Sequence, residues 1–234
     1  MPAHIPVITQ ASSKGGAGKS TATLTLAGEL IDQLRKPVTI IECDPNYPFR
    51  EWIKLGHKPE LLNFIFDESE ETILENIEKA KAESAVVLID LEGTKNMRVT
   101  YAISQSDLVL IPVQGSILDA KEAAETIKLI KRTEKGFNRK IDYAVLFTRL
   151  SGAIVTKNFS DIARQLSDAK VPCLEARLVE REPFKTMFSL GRVLQDLPRS
   201  INGLENARQD SYKLAEAVIN RIKANRKQVT QAAA

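Results

Sequence analysis

Ser13-Lys14-Gly15-Gly16-Ala17-Gly18-Lys19-Ser20-Thr21 follows directly on the apolar run Pro6-Val7-Ile8-Thr9-Gln10-Ala11, and it decides the fold. The run before it predicts a buried strand. Thr23, Leu24, Leu26, Ala27, Leu30, Ile31 and Leu34 then recur at helical spacing until Pro37. Strand, glycine loop and helix in that order form a phosphate-binding loop. Its glycines let successive N–H groups turn toward phosphate oxygens, Lys19 brings a point charge to the β- and γ-phosphates, and the Ser20 hydroxyl is a Mg²⁺ ligand. A helix starting near Lys19 aims the positive end of its dipole at the same anion. The loop departs from the general pattern at one place, where Ser13 replaces the first glycine.

Working outward, apolar runs alternate with helix-length segments. Val38–Glu42 predicts the second strand, Leu62–Phe66 a short one, and Ala85–Asp90 a strand apolar enough to be covered on both faces. Leu108–Val113, Tyr143–Thr148 and Cys173–Leu178 continue the series, with helices expected over 69–82, 97–105, 117–133 and 157–168 and a mostly helical remainder. This alternation implies an α/β fold: a doubly wound, mostly parallel sheet with helices on both faces. At 234 residues one domain is expected over 1–228, its C-terminal helical part at about 180–228, followed by a frayed tail at 229–234.

Composition narrows the class. No stretch approaches the roughly 18–20 apolar residues of a membrane span, and the N-terminus lacks a secretory h-region. Cys43 and Cys173, far apart in sequence, imply neither a disulfide framework nor a metal site, so a cytoplasmic setting is expected. His4 and His57 are too few for a histidine-based metal centre. The net charge of +3 is unevenly laid out: 60–83 carries eight acids against Lys79 and Lys81, whereas 177–227 carries eleven Lys/Arg against six acids. Such asymmetry fits a surface facing nucleic acid or anionic lipid, and also two solvated helix faces.

In doubly wound sheets ligands bind beyond the carboxyl ends of the strands, and the acids lie there. Asp90 ends an apolar strand where a carboxylate holds Mg²⁺, directly or through water. Asp90-Leu91-Glu92-Gly93 also has the Asp-x-x-Gly form of a γ-phosphate sensor, with the Gly93 N–H at the terminal phosphate. Glu92 has no evident role.

Lys14-Gly15-Gly16-Ala17-Gly18-Lys19-Ser20-Thr21 resembles the deviant phosphate loop of the ParA/MinD family of ATPases, a phosphate-loop NTPase fold. The resemblance runs from about Pro6 to Leu197, strong at the loop and diffuse afterwards. It implies ATP and Mg²⁺ as cofactors and a nucleotide site of Lys14, Gly15, Gly16, Ala17, Gly18, Lys19, Ser20, Thr21 and Gly93. It also implies an ATP-sandwich homodimer in which Lys14 reaches the partner subunit's phosphates, as an arginine finger does. Glu42-Cys43-Asp44-Pro45-Asn46 resembles the family's Asp-x-Asp-Pro-Gln segment; by that match Asp44 orients the attacking water and Glu42, one methylene longer than the family's acid, holds a water on Mg²⁺. Lys14, Lys19 and Asp44 are thus the implied catalytic set. Ser106–Val113 with Asp119, and Arg181-Glu182-Pro183-Phe184 with Phe188 and Gly191-Arg192, resemble later family segments. Adenine contacts are expected from the loop after Thr148 and from 177–181.

ParA relatives bind DNA without sequence preference, as ATP-bound dimers, through basic residues of the C-terminal half. Arg192, Arg199, Arg208, Lys213, Arg221 and Lys223 are the candidates, with Arg226 and Lys227 beyond them. The expected protein is a ParA-type ATPase that partitions or positions DNA or another cargo. Its hydrolysis would be stimulated by a ParB-like centromere-binding protein or another cargo adaptor, and it would be cytoplasmic and nucleoid-associated. Two alternatives stand beside it, a MinD-like membrane-associated positioning ATPase and a metabolic phosphate-loop enzyme. Segment 212–227 bears on the first, because its apolar side (Leu214, Val218, Ile219, Ile222) lacks Trp and Phe. Core packing, not membrane insertion, is expected of it.

Overall fold

The structure, a computed structural model, describes residues 4–93, 96–150 and 157–232. Seven strands form one parallel sheet: β1 (Val7–Gln10), β2 (Val38–Glu42), β3 (Leu62–Phe66), β4 (Val86–Asp90), β5 (Leu108–Val113), β6 (Tyr143–Leu150) and β7 (Cys173–Val179). Their order is β3-β2-β4-β1-β5-β6-β7, so the chain starts at the centre and is wound outward in both directions. The doubly wound α/β expectation holds, and every pairing is parallel.

The helices are α1 (Lys19–Leu34), α2 (Pro48–Lys54), α3 (Ile73–Glu83), α4 (Met97–Gln105), α5 (Ile117–Phe137), α6 (Lys157–Asp168), α7 (Glu182–Leu190) and α8 (Leu204–Ala232). Successive strand residues point to opposite faces, and each face has its own core. Val86 and Leu88 join Leu24, Leu30, Trp52, Leu214 and Val218 on one side; Val87 and Ile89 join Ile77, Ile103, Ile130 and Ile162 on the other. A central strand buried on both faces therefore reads as an uninterrupted apolar run.

Helix α5, expected over 117–133, runs on to Phe137, and two further helices depart from expectation. The helix expected over 69–82 begins only at Ile73, because Asp67 accepts from Thr72 Oγ1 (2.7 Å) and holds the preceding residues in turns. Helix α2 was not expected. Its signal is present nonetheless: Pro48 at the first helical position, then Phe49, Trp52 and Ile53 at i, i+3 and i+4 spacing. The indole of Trp52 is buried and donates to Met187 O (2.9 Å), joining α2 to α7. The chain end at 233–234 lies outside the described residues.

The register sets the level of the site. Gln10 pairs with Asp90, and Asp90 with Glu42, so β1, β4 and β2 end side by side.

Gly191 closes α7 in the left-handed region (φ 63), and a Cβ there would come within 2.4 Å of Leu55 Cβ and 3.0 Å of Trp52 O. Gly191→Ala is expected to cost about 2–4 kcal/mol, from the positive φ and from overpacking against α2. A urea titration checks this; an unchanged midpoint would contradict the close α2–α7 contact.

Candidate functional site

The loop between β1 and α1 takes its shape from two glycines with positive φ, Gly16 (75°) and Gly18 (95°). Gly18 is the N-cap of α1 and offers no side-chain cap, so the helix meets the loop with first-turn N–H groups open to an anion. Neighbouring elements brace the loop. Thr148 Oγ1 donates to Ala17 O (2.8 Å) and Gln114 Nε2 to Gly16 O (2.5 Å), from the ends of β6 and β5. The hydroxyl of Ser13, standing where glycine is usual, donates to the Glu122 carboxylate on α5. A side chain at that position gives the loop an anchor that glycine would not. Lys19 is buried, with Nζ 3.3 Å from Lys14 O.

Two buried carboxylates face this loop. Asp90 Oδ2 accepts from Ser20 Oγ (2.6 Å), whereas Asp90 Oδ1 is buried without a hydrogen-bond partner. Glu42 Oε1 accepts from Phe49 N (2.8 Å), and Glu42 Oε2 is likewise buried and unpartnered. Burial raises the Asp90 carboxyl to about 7, against the Ser20 hydrogen bond and the Lys19 charge. Burial also raises Glu42 to about 7, against the Phe49 amide and helped by Asp90 and Asp44. A hard divalent cation fits these observations: it needs oxygen donors, tolerates one or two carboxylates beside phosphate and water, and would occupy the orphaned oxygens. Ser20, Asp90 and Glu42 are the residues that would hold Mg²⁺.

The second acid loop is ordered by its own short contacts. Asp44 Oδ1 accepts from the backbone N and the side-chain Nδ2 of Asn46, both at 2.9 Å. Cys43 is buried, and burial followed by the Asp67 charge pushes its thiol well above the usual range. It is therefore no nucleophile at neutral pH. Gly93 lies against the phosphate loop, where a Cβ would be 3.4 Å from Ser13 O and 3.6 Å from Gly15 N. Glu92, without a role in the sequence reading, accepts from the Asn96 side chain, whose Oδ1 caps α4 through Val99 N (2.9 Å).

Lys14 is held by its own chain. Its Nζ lies 2.6 Å from Asp119 Oδ1, and Asp119 forms a reciprocal capping box with Ser116 at the start of α5. Although desolvation opposes it, the hydrogen bonds from Lys14 and Ser116 hold the Asp119 carboxyl below the usual carboxylate range. On the other side of the loop lies a cleft of about 160 Å³ lined by Gly18, Thr21, Thr148, Arg149, Val179, Arg181 and Phe184 among others. This is where the adenine contacts are expected, although residues 151–156 of that loop lie outside the described residues. Arg149 has φ 51 at the irregularity where β6 loses register with β7, between Phe147 and Leu150. A concavity of about 840 Å³ between α1 and α8 is open, walled by charged side chains and remote from the loop, so volume does not locate the site.

The basic candidates divide. Arg221 grips Asp142 through Nε (2.6 Å) and Nη2 (2.7 Å), and Arg208 donates to Leu194 O and Gln195 O; both side chains are committed to the fold. Arg199, Lys213 and Lys223 are exposed and form no ion pair among the described residues, and Arg192 reaches His57 and Asp196 O. Sequence reading passed over a second basic group. Lys131, Arg132, Lys135, Arg139 and Lys140 gather round an open concavity at the end of α5, where helix and loop bring them together. The apolar side of α8 is buried: Leu214, Val218 and Ile222 lie in the core. No described helix is long and apolar enough to cross a membrane.

Comparison with known proteins follows this geometry. A family model described as VirC1 protein matches residues 5–230. Protein ParA of Rhizobium radiobacter is 37% identical over 218 residues, covering 93% of this chain and 98% of that protein. Among solved structures, Cyanothece McdA in complex with ATP superposes with a TM-score of 0.72 at 17% identity, over 92% of this chain and 97% of the other. The septum site-determining protein MinD of Pyrococcus horikoshii, complexed with Mg-ADP, gives 0.68 at 16% identity, over 92% and 96%.

Asp90 and Glu42 keep in the folded chain, up to about pH 7, protons that the unfolded chain releases near pH 4. The folded state binds more protons across that window, so these two groups make stability fall as pH rises through it. Without nucleotide and Mg²⁺, the melting temperature of Asp90→Asn should depend less on pH between 5 and 7.5 than that of the wild type. Differential scanning calorimetry checks this, and identical profiles would contradict a protonated Asp90.

Proposed function

The chain belongs to the VirC1 protein family, within the ParA/MinD group of phosphate-loop ATPases, and on that premise we propose that it is a ParA-type switch that dimerises on ATP. In this reading the ATP-bound dimer binds DNA without sequence preference, and hydrolysis stimulated by a partner protein releases it. The observation that carries the reading is the convergence of an uncapped helix start, Lys19, and the unpartnered oxygens of Asp90 and Glu42 on one sheet edge. Among the relatives, McdA with ATP and MinD with Mg-ADP support the choice of nucleotide and cation.

Each residue has a place in the proposed reaction. Lys19 and the first-turn N–H groups of α1 receive the β- and γ-phosphates. Ser20 and Asp90 hold Mg²⁺, with Glu42 as a further holder of its water. Bound by these residues, the cation would supply positive charge beside the phosphate oxygens. Asp44 leaves Asn46 to orient the water that attacks the γ-phosphorus, while the bond to the bridging oxygen breaks and ADP departs. Gly93, packed against the loop, senses whether the γ-phosphate is present. Lys14 leaves Asp119 and reaches the triphosphate of a second copy, adding a cation where charge develops.

For DNA, Arg199, Lys213, Lys223 and Arg192 are the candidate phosphate contacts, and Arg208 and Arg221 are left out because the fold uses them. A ParB-like centromere-binding protein or another cargo adaptor is the proposed partner. The buried apolar side of α8 argues against the membrane alternative, since the stripe an interfacial helix would insert already faces the core. Against a metabolic phosphate-loop enzyme stands Lys14, a second lysine at the loop whose proposed role at the phosphates requires a dimer.

Two expected outcomes follow. Lys14→Ala should bind ATP within about threefold of wild type yet lose partner- and DNA-stimulated turnover by at least about 100-fold, the lower range for a trans-acting cation; unchanged stimulation would remove its role. Duplex DNA binding should appear with ATP but not with ADP, and log K should fall with log[salt] by about 0.9 per phosphate contact. Fluorescence anisotropy across nucleotides and salt checks this, and nucleotide-independent binding would contradict the reading.

A further inference from the structure

Arg98 lies buried at the start of α4, among groups that the proposed reaction does not use. Its Nε is 3.0 Å from Asp67 Oδ2, and its Nη1 donates to Cys43 O (3.1 Å). Asp67 is fully buried, follows β3, and accepts at Oδ1 from Thr72 Oγ1 (2.7 Å) and Asn76 Nδ2 (2.8 Å); its own N–H donates to Glu42 O (2.9 Å). Cys43 N donates to Asp90 O (2.9 Å). Cys43, the residue that leads into Asp44, is thus pinned from two sides, by the Asp90 strand end through its N–H and by the α4 guanidinium through its carbonyl.

We propose that Arg98 is a positioning residue for ATP hydrolysis: its guanidinium fork, paired with Asp67, sets the Cys43–Asp44 peptide and ties the Asp44 loop to the start of α4. The planar fork is what makes this work. One nitrogen lies in ion-pair distance of a buried carboxylate, without the alignment of a hydrogen bond, while another donates to a carbonyl, and a lysine has no second fixed donor. The carbonyl preceding Asp44 thus takes its place from the start of α4, and with it the water-orienting carboxylate. This inference rests on the ATPase reading above, and extends it to two residues outside the nucleotide's reach.

The test compares three variants by turnover, by affinity for a fluorescent ATP analogue and by amide exchange over residues 43–49. Arg98→Lys keeps the charge for Asp67 but forfeits the second donor. Arg98→Met combined with Asp67→Asn removes both charges together, which spares the fold an unpaired buried ion. Asp67→Asn alone leaves Arg98 able to donate to Cys43 O. We expect the first two to bind nucleotide within about threefold of wild type, with kcat lowered at least about tenfold and exchange over 43–49 accelerated by a similar factor, the size of one lost positioning contact. Asp67→Asn, which loosens the anchor but leaves the donor to Cys43 O in place, should lower kcat less than Arg98→Lys does, even where its urea midpoint falls further. A merely structural role would instead make kcat follow stability across all three, and that pattern, or wild-type turnover and exchange in Arg98→Lys, would overturn the proposal. Should the wild-type protein show no hydrolysis, the ATPase reading fails; exchange over 43–49 then still decides the coupling, faster in Arg98→Lys supporting it and unchanged exchange overturning it.

Discussion

The in-register pairing of three parallel strands carries the site. Gln10, Asp90 and Glu42 end β1, β4 and β2 at one level, so the phosphate loop and both acid loops leave the sheet together. The apolar strands supply the stiffness. Each is packed on both faces, which leaves little freedom for the carboxylates at their ends. That rigidity keeps two buried oxygens without partners among the described residues, a situation that calls for an explanation, and a bound cation supplies one. The raised protonation of Asp90 and Glu42 has the same origin, since desolvation, helped by the neighbouring acids, disfavours their charged forms.

Around that rigid edge the loops are secured by contacts of varied permanence. Thr148, Gln114 and the Ser13–Glu122 pair hold the phosphate loop from three elements. Lys14–Asp119 and Asp44–Asn46 are different, since each occupies a group that the proposed reaction needs elsewhere. Lys14 is partly exposed, and an ion pair in that setting is worth little net free energy, which suits a contact that must open. The buried Asp67–Arg98 pair is of the opposite kind, enclosed and tied into backbone, suited to transmitting movement without dissolving.

Much of this could be read in the chain before its structure. Strand–loop–helix around Lys19 and the apolar runs ending in acids located the sheet edge, because fully buried strands and glycine turns leave strong local patterns. Asp44, Glu42 and Lys14 were reached by family resemblance, and the structure gives each a defined neighbourhood without testing its chemistry. What local patterns could not carry were contacts between distant segments. Nothing near Arg98 marks it as the partner of Asp67 and Cys43, and nothing near Arg221 shows that Asp142 occupies it. Helix α2 is hard to read although Pro48 and the Phe49–Trp52–Ile53 spacing announce it, because a seven-residue helix of about two turns resembles a loop until its core partners are known.

The claim on which everything else rests is that the sheet edge was built to receive a nucleoside triphosphate with its divalent cation. Isothermal titration calorimetry of ATP into the protein, with Mg²⁺ and with the cation chelated, in wild type and Asp90→Asn, tests it directly. The account predicts ATP binding that Mg²⁺ strengthens in the wild type and that Asp90→Asn renders nearly indifferent to the cation. No binding of ATP by the wild type in either condition, or an equal Mg²⁺ effect in both proteins, would contradict it.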